Sequence, residues 1–242
     1  MSTRLAESPS PTCGFRRLDR LHHPAGRHPP PGAEGGLSAW CNDPERRHAA
    51  GIPETVQFAT KPRPAAEMIE AALDAGISAS WVTGDEAHGQ DPHLRTALEA
   101  RGIGYVMAVT CPTRVRINQG RTSIRAGALT GRLPAVAWQR YSAGPGAKGP
   151  RYYYWAWIRI GTGDHRHLLI RRNRTTGELA FYLCWPPTKV ALAELVRVAG
   201  VRWSVEERFQ TAKGQVGLDH YQVRQWISWH RTSRSPCSPW PS

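Results

Sequence analysis

Long apolar runs are missing from this sequence. No stretch of about 18 consecutive apolar residues occurs in the 242, which excludes a membrane-spanning helix. The opening residues, MSTRLAESPSPTCGFRRLDRL, also lack the apolar core of a secretory signal, so the expected setting is the cytoplasm. Cysteine is sparse and scattered: Cys13, Cys41, Cys111, Cys184 and Cys237 stand singly, with no CxxC spacing. That pattern argues against a disulfide framework and against a zinc site, and it suits a reducing compartment. Acidic residues are short too. Asp and Glu number 19 against 32 Lys and Arg, for a formal charge of +13 and a pI near 10.2. Such a charge does not specify a fold, but it attracts polyanions, of which nucleic acid is the commonest. A generally arginine-rich proteome would give the same balance.

Both ends lack periodicity. Residues 1–38 hold SPSPT and HHPAGRHPPPGAEGG, rich in Pro, Gly, His and Arg, with few aliphatic side chains to bury. Residues 230–242 read the same way. Disorder is the simple expectation for both. Translation of a GC-rich frame out of register would also produce this mixture.

The middle is orderly. PAAEMIEAALDAG (Pro64 to Gly76) places Met68, Ile69, Ala72 and Leu73 at helical spacing and ends on glycine. ISASWVT follows as a short β-like run, leading into GDEAHGQ. DPHLRTALEARG then opens with Asp91 as an N-cap and Pro92 at the first helical position, and IGYVMAVT is a second apolar run. Strand, helix, strand is a βαβ-like unit, with Asp85 just past the first strand's carboxyl end. Open α/β sheets usually place their functional groups there.

From Arg151 the runs RYYYWAWIRI, HLLIRR and ELAFYLCW, separated by turn sequences, predict an antiparallel meander. Residues 151–174 carry six arginines and a single acid, Asp164. Arginines interleaved with Tyr and Trp on strands suit a sugar–phosphate backbone. One wet sheet face with snorkelling arginines fits equally.

TKVALAELVRVAG (Thr188 to Gly200) predicts a helix, and RWSVEERFQTAKG (Arg202 to Gly214) a second one after it. Ser204 and Glu207 have capping-box spacing, so Glu207 is read as tied back to the backbone. Val205, Phe209 and Ala212 share one face by spacing and should be buried. Glu206, Gln210 and Lys213 line the neighbouring stripe, at the edge of that contact. Taken alone, this pattern also suits a solvated charged face.

The spacing Arg202, Glu206, Lys213 resembles the R-E-K part of the Y-R-E-K signature of DDE transposases of bacterial insertion sequences. WVTGDEAHGQDPHLRTALEARGIGYVMAV resembles the block around that family's second catalytic aspartate. AAGIPETVQFATKP, LLIRRNRTTGELAFYLC and RVAGVRWSVEERFQTAKGQVGLDHYQVRQWISW are similar to further family segments. Together these blocks cover roughly Trp40 to Trp229.

The resemblance implies an α/β, RNase H-like core with a β-rich insertion, about 151–185, before the last helices, all within residues 39–229. It implies two aspartates and a glutamate holding two Mg²⁺ (or Mn²⁺) ions, for which hard oxygen ligands are suited. Paired ions would serve phosphodiester cleavage and strand transfer. Carried over by motif, Asp85 is the second aspartate and Glu206 the glutamate. Arg202 and Lys213 would meet DNA phosphate, with Arg171, Arg172 and Arg174 adding contacts. Expected partners are insertion-sequence ends and target DNA, and a second copy or an intact transposase.

The departures carry equal weight. Ala199 stands where the signature wants tyrosine, and His88 where an aromatic hydroxyl is usual. Upstream of Asp74 the chain offers only Asp19 and Asp43 as aspartates, and neither sits in an apolar run. The sequence therefore predicts an incomplete core that lacks its first carboxylate and is cut short after Trp229, with metal binding impaired. Three outcomes stay open: an inactive transposase fragment, a non-catalytic DNA-binding regulator, and a chain that does not fold.

Overall fold

The computed structural model describes residues 13–14, 43–56, 59–146, 149–216 and 227. In chain order the elements begin with a two-residue strand β1 (Cys13–Gly14) and two helices, α1 (Pro44–Ala49) and α2 (Pro62–Asp74). Strand β2 (Trp81–Gly84), helices α3 (Glu86–Gly89) and α4 (Pro92–Ala100) and strand β3 (Gly104–Val109) follow. A hairpin, β4 (Arg114–Ile117) and β5 (Thr122–Arg125), leads to helix α5 (Ala126–Thr130). The chain then forms β6 (Gln139–Gly146), β7 (Gly149–Arg159), β8 (His167–Arg172) and β9 (Leu179–Trp185), and closes on helix α6 (Leu192–Val216). None of the described helices is long and apolar enough to cross a membrane.

Local chemistry explains the first half. Helix α4 starts where Asp91 accepts from the backbone N–H groups of His93 (2.7 Å) and Leu94 (3.2 Å), with Pro92 at its first position, as its sequence predicts. Helix α2 ends with the Ile77 N–H donating to the Ala72 carbonyl and Gly76 at φ +85°. Ile77 thus belongs to the helix terminus, which is why β2 is shorter than the apolar run suggests.

Strands β2 and β3 pair in parallel, Val82 opposite Tyr105 and Thr83 opposite Val106. The α3–α4 segment between them makes the βαβ unit expected. Every residue of β3 is buried, as a continuous apolar run between two covered faces requires. Period-two alternation divides those faces. Val82, Tyr105 and Met107 pack with Ile69 of α2 and with Leu94 and Leu98 of α4. Val106 and Ala108 pack on the other face with Leu195, Val196 and Ala199 of α6.

The meander does not form a separate layer. Strand β9 pairs antiparallel with β3, and the sheet runs β1-β2-β3-β9-β8-β7-β6. The α/β class holds, and the β-rich segment lies ahead of the last helix as expected. It takes in β6 as well as the runs after Arg151.

One helix prediction needs correcting. Residues 192–216 form a single helix, so Gly200 is not a stop and Ser204 caps nothing. Gly200 is needed for close approach instead. A Cβ there would lie 2.1 Å from the Ala143 carbonyl oxygen of β6. With the helix continuous, the N–H groups after Ser204 have helical partners, and the Ser204–Glu207 capping box has no terminus to satisfy.

Candidate functional site

Strand β2 delivers its residues alternately to the two faces, and Trp81 and Thr83 point to the α6 side. Asp85 follows at the strand's carboxyl end and serves as the N-cap of α3. Its Oδ1 accepts from the backbone N–H of Ala87 (3.1 Å) and of His88 (3.3 Å). It also accepts from His88 Nδ1 at 2.7 Å, and because an ionised carboxylate can only accept, this ring nitrogen carries the proton. His88 is almost fully buried, whereas about a quarter of the Asp85 side chain meets solvent. The His88 hydrogen bond holds the Asp85 carboxyl well below the usual carboxylate range, against the opposing effect of burial, and the charge of Arg202 adds to the lowering.

Two glycines let this corner close. A Cβ on Gly89 would lie 1.9 Å from the Ala108 carbonyl oxygen, so only glycine lets α3 rest on β3. A Cβ on Gly84 would stand 3.0 Å from the His88 Cβ.

Helix α6 brings Arg202 toward this corner. Leu195 and Ala199 are buried against the sheet, and Arg202 continues the same stripe at i+7 from Leu195. Arg202 is half-buried and close enough to Asp85 to act on its ionisation. Lys213 stands seven residues beyond Glu206 on α6. The side chains of Glu206, Lys213, Phe209 and Ala212 lie outside the described residues. Ala199, at the position of the missing signature tyrosine, is part of the core.

The arginines of β8 and its following turn do not share one face. Arg171 lies on the α6 side, its guanidinium 4.7 Å from the Tyr153 ring, and together with Arg202 it acts on the buried Tyr182. Arg172, one residue on, lies on the opposite face over Trp138 (4.2 Å) and Tyr154 (5.4 Å). Arg174 is exposed in the turn that Asn173 organises by accepting from Thr175 and Thr176. A single basic strand surface made of these three is therefore corrected: strand alternation separates them.

Two residues gain importance that their sequence context only hinted at. His88 has i, i+3 spacing to Asp85, which predicts the contact once a helix is known to start at Glu86. Arg151 donates to the carbonyls of Ala143 (2.6 Å), Pro145 (3.0 Å) and Gly200 (3.3 Å) and stacks 3.9 Å from the Trp203 ring. It ties the β6–β7 hairpin to α6, and nothing in RYYYW alone signals that role.

The aspartates upstream of Asp74 do not reach this corner in the described chain. Asp43 caps α1, accepting from the Arg46 N–H and pairing with its guanidinium, each at 3.1 Å. Asp19 lies outside the described residues. The strand beside β2, on the side away from β3, is β1, with Cys13 opposite Val82 and Gly14 opposite Thr83. Neither of its residues bears a carboxylate.

No curated protein matches this sequence. The family model described as DDE superfamily endonuclease matches residues 27–148, half of the chain. The matched part contains β2, Asp85, His88 and β3, whereas Arg171, Arg202, Glu206 and Lys213 fall after it. A mixed sheet covered by helices on both faces, with Asp85 at the carboxyl end of one of two parallel strands, is consistent with the RNase H-like fold of such nucleases. By its sequence match and its architecture, the chain belongs to the DDE superfamily endonuclease family.

Proposed function

We propose that this chain engages DNA at the ends of an insertion-sequence-type element, as a transposase-type DDE domain, and does not cleave it unaided. The observation that carries the reading is the placement of Asp85. It stands ionised at the carboxyl end of β2, with Arg202 of α6 close by. On this reading Asp85 and Glu206 are the remaining carboxylates of the family's acid set. Arg202 and Lys213 contact phosphate, and Arg171 supports them from the same sheet face.

Nucleases of this family use divalent ions, Mg²⁺ or Mn²⁺ on our reading. The described donors do not fit a two-ion site. Asp85 commits Oδ1 to three donors and has a guanidinium nearby, which disfavours a cation there. Among the described residues no three of His, Cys, Asp and Glu gather as a metal-binding group. Hard divalent ions need several oxygen ligands each, so no cleavage step is assigned to this chain alone.

The test uses purified full-length protein and labelled duplexes carrying the element's terminal inverted repeats. Salt-sensitive, end-preferring binding is expected, with no nicking or joining in Mg²⁺ or Mn²⁺. Cleavage that Asp85→Asn abolishes would overturn the inactive assignment. Absence of salt-sensitive DNA binding would overturn the whole reading.

A further inference from the structure

We propose that the solvent face of the β4–β5 hairpin is a second DNA-contacting surface, one that tracks duplex phosphates without reading bases. The proposal rests on the DNA-directed reading above but concerns residues that reading does not use. Between Glu99 and Asp164 the sequence has ten Lys and Arg and no acidic residue at all. The hairpin concentrates part of that charge. Its register sets Arg114 directly opposite Arg125 and Arg116 opposite Ser123, and all four are exposed. Val115, Ile117 and Ile124 alternate with them and pack inward. Like charges directly opposite on a strand pair are destabilising. None of the described carboxylates forms an ion pair with Arg114, Arg116, Arg121 or Arg125, whereas exposed Arg63, Arg101, Arg159, Arg166 and Arg197 each reach one. A hairpin that sets Arg114 against Arg125, with no described carboxylate paired to either, presents a surface complementary to a polyanion.

The hairpin is also held in place and well positioned. Its backbone is anchored to the β7–β8 turn by the Gly161 N–H donating to the Arg116 carbonyl at 2.7 Å. It leaves the sheet at the carboxyl end of β3, the same end at which Asp85 leaves β2. Gln90, just after α3, donates to the Thr110 hydroxyl at 3.1 Å and ties the Asp85 corner to the approach of β4. A duplex lying across that end of the sheet would meet both. Arginines displayed on a strand pair, with no aromatic ring between them, suit phosphates more than unstacked bases.

The experiment measures binding of the full chain to a fluorescent duplex of arbitrary sequence over a range of salt concentrations. The triple variant Arg114→Gln, Arg116→Gln, Arg125→Gln should lower the magnitude of the log K against log salt slope by about 2 to 3, since each phosphate contact contributes roughly 0.9. The corresponding triple lysine variant should keep the wild-type slope, and the glutamine variant should melt no lower than wild type. A wild-type slope in the glutamine variant would overturn this proposal and leave the proposed function standing. A lowered melting temperature alongside a reduced slope would assign the arginines to the fold and overturn it too. Duplex RNA competing as well as DNA would overturn the DNA assignment. Wild-type protein that shows no salt-dependent binding would defeat both readings.

Discussion

His88 Nδ1 lies 2.7 Å from Asp85 Oδ1, closing a side-chain loop over the first turn of α3. The same oxygen accepts two backbone N–H groups, so a single imidazole decides whether the carboxylate at this corner is held or merely capped.

Replacing His88 by alanine should destabilise the protein by about 1–3 kcal/mol, the cost of removing a buried partner of a charged group. The pH dependence should change in a definite sense. A carboxylate with a depressed folded-state value contributes stability that is complete above its unfolded value and is lost as the pH falls through the folded one. For Asp85 the unfolded value is near 3.8, so its contribution disappears progressively on acidification below that pH. Urea titrations should therefore show His88→Ala with a shallower acid-side loss of stability than wild type. Parallel acid limbs for the two proteins would rule this coupling out.

Gly200 sets two effects against each other. Alanine in a helix interior is favoured over glycine by about 1 kcal/mol. A Cβ at this position, however, would sit 2.1 Å from the Ala143 carbonyl oxygen, a backbone atom that cannot swing away. The clash should win. Gly200→Ala is expected to lose about 1–3 kcal/mol net, as overpacked interiors do. A chemical-denaturation midpoint at or above that of wild type would show that the helix and β6 can separate without penalty.

These positions explain what a reader of the sequence can and cannot see. Asp91, Pro92 and the apolar run of β3 act through near neighbours in the chain, so their caps and faces follow from spacing. The position of Asp85, after a β-like run and before a helical one, is legible for the same reason. Gly200 reads as the last residue of a predicted helix because such signals are local, while its actual neighbour is Ala143, on a strand far back in the chain. Arg171 and Arg172 look alike in HLLIRR, yet strand alternation sends one beside α6 and the other over Trp138. The like-charge pairing of Arg114 with Arg125 depends on hairpin register, which composition does not contain.

Arg151 is the test of whether long-range ties hold the meander to α6. Burial pushes its guanidinium below the ordinary arginine value, but it stays charged and donates to three carbonyls. Arg151→Ala leaves those carbonyls short of a donor and removes the stack on Trp203, so a loss of about 2–3 kcal/mol is expected. Lysine keeps the charge but not the planar fork, and Arg151→Lys should recover less than half of the deficit. Thermal melts of the two variants distinguish the cases: equal stability of lysine and arginine would mean that charge alone matters here.

The end of α4 is joined to the β7–β8 turn by a second arginine. Arg166 donates from Nε to Glu99 Oε1 (3.1 Å) and from Nη2 to Oε2 (2.5 Å), and the Tyr105 hydroxyl donates to the same Oε1 at 2.8 Å. Burial opposes ionisation of Glu99, yet the Arg166 and Tyr105 hydrogen bonds hold its carboxyl below the ordinary value. Arg166 is itself half exposed, so solvent and salt weaken the pair, and a coupling of about 1 kcal/mol is the reasonable scale. Tyr105 is buried and packs with Trp185, so Tyr105→Phe preserves the ring while deleting its hydroxyl. A double-mutant cycle of Arg166→Gln with Glu99→Gln, repeated on the Tyr105→Phe background, measures how the three share the load. The coupling should grow when the tyrosine hydroxyl is gone, because Arg166 then becomes the sole side-chain donor among these partners to a half-desolvated carboxylate. An unchanged coupling would show that the two donors act on Glu99 independently.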